Sequence, residues 1–207
     1  MMQIDLTEIT GIYGKKNSGK SVLFEHLLTQ TERYVCLDPN HEHGPPGSVA
    51  VTSPADVLRQ WVQGNTRQVV RDAPLTKEKA AQYARAFGQL KDAFLYVDEI
   101  HNYMSEHSCP QVFEDLAAWH VTHNNCGMVI ASQQAKSVHD ALFQHIDTHF
   151  IFHYGSHEDA KLRTLGPETV RKVQNLDFSS YQFVYYHDVT GGEPQVAGPV
   201  PVPDHLG

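Results

Sequence analysis

The chain has 207 residues, 41% of them hydrophobic and 19% charged, which suits one globular domain with a sizeable core. Its net charge of −8 excludes a basic nucleic-acid coat, so any DNA contact falls to a local patch. The cysteines, Cys36, Cys109 and Cys126, lack C-x-x-C spacing, which fits a reducing compartment and argues against structural zinc; the sequence also reads as one without a signal peptide or an integral membrane segment.

In chain order, a first strand is predicted over 9–13, rich in β-branched and aromatic residues. It runs into Gly14-Lys15-Lys16-Asn17-Ser18-Gly19-Lys20-Ser21, which spells G-x-x-x-x-G-K-S. In this motif glycines permit a tight turn and the backbone N–H groups cradle phosphates. Lys20 is expected to reach the β- and γ-phosphates of ATP, and the Ser21 hydroxyl to bind Mg²⁺. A helix follows over 19–30, with apolar residues at helical spacing, and then a strand over 33–38. His41 to Gly47 is a turn-rich loop, in which His41 and His43 read as scattered surface histidines rather than metal ligands.

Helix 54–63, strand 67–71 and helix 77–90 lead to a strand over 93–98. Its apolar run Phe94-Leu-Tyr-Val97 ends in two carboxylates. After a phosphate loop, the acid at this place holds Mg²⁺, usually through water, and that role falls to Asp98. Glu99 is expected to orient and polarise the attacking water. Helix 111–123 is followed by a strand over 127–132, whose core Met128-Val-Ile-Ala131 reads as a central parallel strand. It exits at Ser132-Gln133. If this strand lies beside the first, Gln133 can hydrogen-bond the attacking water or report the departure of the γ-phosphate.

Helix 138–146, strand 148–154 and helix 157–165 come next. The last is punctuated by Ser156 as cap, Glu158 and Asp159 in its first turn, Lys161 and Arg163 near its end, and Gly166-Pro167 as a stop. After a late strand at 181–187, residues 191–207 form a Pro/Gly-rich tail, extended across a neighbouring subunit or disordered. The expected organisation is one domain over 1–190 plus this tail. The alternation of strands and helices predicts an α/β fold with a mostly parallel central sheet flanked by helices.

Phosphate loop, strand ending Asp98-Glu99 and strand ending Ala131-Ser132-Gln133 together resemble the FtsK–HerA superfamily of DNA-pumping P-loop ATPases. Leu37-Asp38-Pro39-Asn40-His41-Glu42 looks like that family's second strand and the acid after it. Asp147-Thr-His-Phe-Ile-Phe152 looks like its fifth strand. The resemblance runs from about residue 9 to 166. A short chain without added domains looks most like the genome-packaging ATPases of membrane-containing icosahedral viruses.

The resemblance implies a RecA/FtsK-like P-loop NTPase that hydrolyses ATP with Mg²⁺ to drive double-stranded DNA into a preformed capsid. It implies a homo-oligomeric ring, with a hexamer expected, working in the host cytoplasm or at the virion vertex beside capsid or membrane vertex proteins. Loops at His101 to Gln111, with Asn102 and Tyr103, and at Gln134 to Val138, with Lys136, would face the pore or be plain loop surface. The family's trans-acting arginine is missing: Thr122 or His123 stands at its usual place, and His153 at a second one. Arg163 and Arg85 are substitutes, or simply solvated helix residues. The competing functions are a small-molecule kinase of nucleoside type and a Zot-like phage assembly ATPase. The kinase lacks its usual paired-cysteine zinc site here, and the Zot type lacks its membrane segment.

Overall fold

Nine strands join in one sheet in the computed structural model, which describes residues 7–153, 159–188 and 191–206. They are β1 (Ile9–Tyr13), β2 (Tyr34–Leu37), β3 (Val49–Val51), β4 (Arg67–Val70), β5 (Phe94–Val97), β6 (Gly127–Ser132), β7 (Thr148–Phe152), β8 (Phe183–His187) and β9 (Gln195–Ala197). Their spatial order is β3-β4-β2-β5-β6-β1-β7-β8-β9. The first seven run parallel, and β8 and β9 extend the sheet antiparallel. β6 lies directly beside β1, with Tyr13 opposite Ser132. The expected α/β fold with a mostly parallel sheet is therefore what the chain adopts.

Strands β1, β2, β5, β6 and β7 are buried along their whole length. That requires cover on both faces, because side chains alternate between them. On one face lie Ile9, Tyr13, Val35, Leu37, Leu95 and Val97, packed under α2 (Pro54–Val62), α3 (Lys77–Phe87) and the helical segment from Gln111. On the other face Ile12, Tyr34, Cys36, Tyr96 and Phe150 pack against α1 (Lys20–Gln30) through Leu23, Phe24, Leu27 and Leu28. Tyr185, Ala197 and Val200 complete this second layer, so the C-terminal tail supplies part of it.

Several elements differ from expectation. The helix predicted over 111–123 is a continuous helical segment of α4 (Gln111–Asp115), a π-helical stretch (Leu116–His120) and α5 (Val121–Asn124). The helix predicted over 138–146 shrinks to α6 (Asp140–Phe143), capped by the His139 side chain. The segment around 157–165 holds α7 (Asp159–Leu162) and a 3₁₀ turn (Arg163–Leu165); Ser156, Glu158 and the end of the predicted strand at 154 lie outside the described residues. Gly166-Pro167 does stop that segment but also starts α8 (Pro167–Gln174), with Pro167 in the first turn, where its missing N–H costs nothing. Strand β3 is an edge strand of three residues, too short to show a period.

The tail, expected to be disordered or to cross a neighbouring subunit, lies against its own chain. Its strand β9 pairs with β8, Val196 opposite Val184. Among the described residues, no helix is long and apolar enough to cross a membrane.

Candidate functional site

The loop between β1 and α1 turns on two glycines with positive φ, Gly14 at 152° and Gly19 at 103°. A Cβ at Gly14 would sit 2.6 Å from Cβ of Phe152 and 2.9 Å from Oγ of Ser18, so no other residue fits there. Gly19 is the N-cap of α1 and offers no side-chain cap, so the first N–H groups of the helix remain free for a ligand. Lys20, only 8% exposed, donates from Nζ to the Lys15 carbonyl at 3.3 Å, bending over its own loop. Burial holds its ammonium below its ordinary pKa, and Glu99, Asp98 and Glu42 oppose that shift.

An open cleft of about 770 Å³ lies over this loop, within the size range of small-molecule sites. Its polar part is lined by Lys16, Asn17, Gly19, Lys20, Ser21, Asn40, Glu42, Glu99 and Gln133. Of the sequence-predicted residues, Gly14, Lys15, Ser18 and Asp98 do not line it. Ser18 is 2% exposed beneath the loop, and Asp98 is 6% exposed behind Glu99.

Strands β5 and β6, side by side, bring Glu99 and Gln133 together. Gln133 Nε2 donates to Glu99 Oε1 at 3.0 Å. The other carboxylate oxygen, Oε2, lies 3.1 Å from His101 Nε2 without an aligned hydrogen bond. His101 Nδ1 in turn approaches Ser132 Oγ at 3.4 Å. Glu99 has φ 47° and ψ 50°, a left-handed conformation that a non-glycine residue holds only when its surroundings impose it. Strand adjacency thus brings Glu99 and Gln133, which the sequence offered separately, into contact, and adds His101, which sequence reading placed on a DNA-facing loop.

Asp98 is backed by a buried network that the sequence did not reveal. His43, expected at the surface, is 4% exposed. Its Nε2 stands 3.4 Å from Asp98 Oδ2, and its Nδ1 bonds Glu25 Oε2 at 2.9 Å. Burial would lower the His43 pKa, but the Asp98 and Glu25 carboxylates override it and hold the imidazole at about 9. Asp38, fully buried, accepts from the backbone N–H of His43 at 2.8 Å and from Arg71 Nη1 at 2.7 Å. Arg71 also donates to the His43 carbonyl. The only sequence hint was Glu25, a charged residue inside the apolar stripe of α1. Ser21 hydroxyl and the Asp98 and Glu99 carboxylates are hard oxygen donors, the set that suits Mg²⁺ with most of its water shell kept. Glu99 Oε2 is buried and lacks an aligned hydrogen bond, with His101 Nε2 3.1 Å away, so it is an acceptor that fits the water shell of such an ion.

Other expectations are corrected or left apart from the site. Tyr103 is fully buried in the core, not on a pore surface; Asn102 and Lys136 are exposed. The two predicted DNA loops do meet: His101, Met104, Ser105, Glu106, Lys136 and Ser137 line one shallow depression. Thr122 and His123 are exposed, and the His123 ring stacks 3.8 Å from that of Trp119. The His153 carbonyl accepts from the Lys15 N–H at 3.2 Å, tying β7 to the phosphate loop. Arg85 and Arg163 are exposed, and neither lines the cleft.

No family model matches the sequence, and no curated protein matches it either. Solved structures do match the fold. The genome-packaging NTPase B204 of Sulfolobus turreted icosahedral virus 2, in complex with AMPPCP, superposes with a TM-score of 0.76 at 19% identity, over 94% of this chain and 98% of that one. B204 of Sulfolobus turreted icosahedral virus, a DNA-packaging ATPase, gives 0.68 at 18% identity, over 96% of this chain and all of that one. VirB4 of Thermoanaerobacter pseudethanolicus gives 0.65 at 13% identity, over all of this chain and 93% of that one. At these identities the likeness is one of fold alone: the chain shares the α/β architecture of these proteins.

Proposed function

We propose that this chain is a Mg²⁺-dependent ATPase that moves double-stranded DNA, packaging a viral genome into a preformed capsid as a ring of identical subunits. The observation that carries the chemistry is Glu99, held by Gln133 and His101 at the mouth of a cleft whose floor is the Lys20 loop. Glu99 is aligned to accept a proton from a water as its oxygen bonds to the γ-phosphorus. The bond from that phosphorus to the β-bridging oxygen breaks, and ADP and phosphate leave. Lys20 and the free N–H groups at the start of α1 neutralise the charge that builds on the phosphate oxygens. Ser21, and Asp98 through water, would hold Mg²⁺, which would supply further charge neutralisation at the phosphate oxygens. Gln133 keeps Glu99 in place and reports the γ-phosphate.

The DNA-moving role is supported by the shared fold with packaging NTPases and by the depression where the two loops meet, with Lys136 as its cation. Capsid or membrane vertex proteins are the partners this role requires, at a vertex reached from the host cytoplasm. The purified chain is expected to hydrolyse ATP only with Mg²⁺. Lys20→Ala should abolish nucleotide binding, whereas Glu99→Gln should bind ATP normally and lose turnover by roughly 10²-fold or more. Full activity in Glu99→Gln would remove Glu99 as the base and put Glu42, also in the cleft, in its place. Stimulation by a nucleoside acceptor instead of by duplex DNA would point to a kinase.

A further inference from the structure

The cleft changes character along its length. Beyond the phosphate loop it is walled by Val22, Tyr181, Pro199, Val200 and Val202, the last three from the C-terminal tail. Tyr181 and Val202 are 52% and 56% exposed, so among the described residues this wall is an apolar surface open to solvent. Resting on the ATPase reading above, we propose that residues 198–206 are the base-binding wall of the nucleotide site: the flat face of a nucleobase lies against Tyr181, Pro199, Val200 and Val202.

The tail is built into that position rather than draped there. Strand β9 anchors it to β8, and at Gly198 it turns with φ +103°. A Cβ at Gly198 would lie 3.0 Å from both the Tyr181 carbonyl oxygen and the Phe183 ring, so the close approach of tail to Tyr181 needs glycine. Farther on Pro203 is buried, and His205 Nε2 meets Glu25 Oε1 at 2.7 Å. Glu25 is a 1%-exposed carboxylate on α1, so the tail is latched to the helix that begins at the phosphate site. Tyr181 itself passes close to that helix start: its ring lies 3.5 Å from where a Gly19 Cβ would be.

The chemistry of the wall sets its selectivity. Aliphatic, proline and aromatic surfaces recognise the face of a base and read none of its edge groups. The wall therefore favours a nucleoside triphosphate over bare triphosphate and separates ATP from GTP weakly.

Calorimetry on the full chain with Mg·ATP, Mg·GTP and Mg·tripolyphosphate tests this. ATP is expected to bind roughly 10- to 100-fold tighter than tripolyphosphate, the range that stacking of one base supplies, with GTP within about threefold of ATP. Tyr181→Asn suits the residue's left-handed backbone (φ 51°), and Val202→Ser alters an exposed side chain. Each should erase most of the ATP advantage and leave tripolyphosphate binding unchanged. On the wild-type chain Mg·ATP should protect the tail from carboxypeptidase, and Mg·tripolyphosphate should not. Equal affinity for ATP and tripolyphosphate, an undiminished ATP advantage in both variants, or equal protection overturns the wall while leaving the ATPase reading intact. Failure to bind either ligand, or binding that survives Lys20→Ala, overturns both.

Discussion

Glu99 is the side chain on which the proposed chemistry turns, and three neighbours shape it. Gln133 holds one of its oxygens and His101 faces the other, while its own backbone is left-handed. Gln133→Ala should therefore slow hydrolysis by roughly 10- to 100-fold through misplacement of the carboxylate, with ATP affinity little changed. Single-turnover kinetics with a parallel binding titration separate the two effects, and a fully active variant would sink the positioning role. His101→Ala should behave alike, and His101→Gln should recover part of the rate by placing an amide donor near the ring Nε2 position. A purely structural role would instead lower thermal stability and affinity together. Lys20, Ser21, Asp98, Glu99 and Gln133 could be named from their places in the chain because each sits at a fixed offset from a turn or strand end. His101 and His43 could not, since a lone histidine in a loop has no spacing to mark it. Only the adjacency of β5 and β6, and the packing of α1 against the loop after β2, bring them to the acids.

At the scale of elements, the central strands were legible because a parallel strand covered on both faces is a continuous apolar run. The short pieces were not: β3 and β9 have three residues each, and their pairing comes from neighbours distant in sequence. Strand β7 carries an unusual core residue, His149, packed against Tyr13 and Phe143. Burial lowers its pKa to about 4 from the ordinary 6.5. Because the folded value is depressed, its contribution is fully present above pH 6.5 and is lost as pH falls through 4, when the unfolded chain alone takes up the proton. Over that window the loss amounts to about 3 kcal/mol. Melting temperatures measured from pH 7 to pH 4 should fall more steeply in the wild type than in His149→Gln. Identical slopes would mean that His149 does not report its burial. On the other face of the sheet, Leu27→Ala in α1 should destabilise by about 2–5 kcal/mol in denaturant titration, since Leu27 is 2% exposed within the aromatic layer.

For the whole molecule the question is how an acidic chain of net charge −8 would handle DNA. The depression shared by the loops after β5 and β6 offers Lys136 beside His101, with Glu106 close by. A site with one cation and one acid would hold phosphate weakly and release it, as the proposed movement of DNA requires. Duplex DNA is expected to stimulate ATP hydrolysis, with the stimulation falling steeply as salt rises from 50 to 200 mM, a range over which phosphate contacts are known to weaken strongly. Lys136→Ala should reduce that stimulation and leave hydrolysis without DNA unchanged; a variant stimulated like wild type would move the DNA contact elsewhere. The sequence by itself determined the phosphate loop, the two carboxylates, the glutamine and the alternation of strands and helices, because these depend on local backbone geometry and on the period of burial. Tertiary structure alone decided that Glu25 and His43 back Asp98 and that Tyr103 is core. It also decided that the tail folds over the cleft beside its own G-x-x-x-x-G-K-S loop rather than away from it. These are contacts between groups as far apart as Glu25 and His205, and nothing in the residues near either partner records such a meeting.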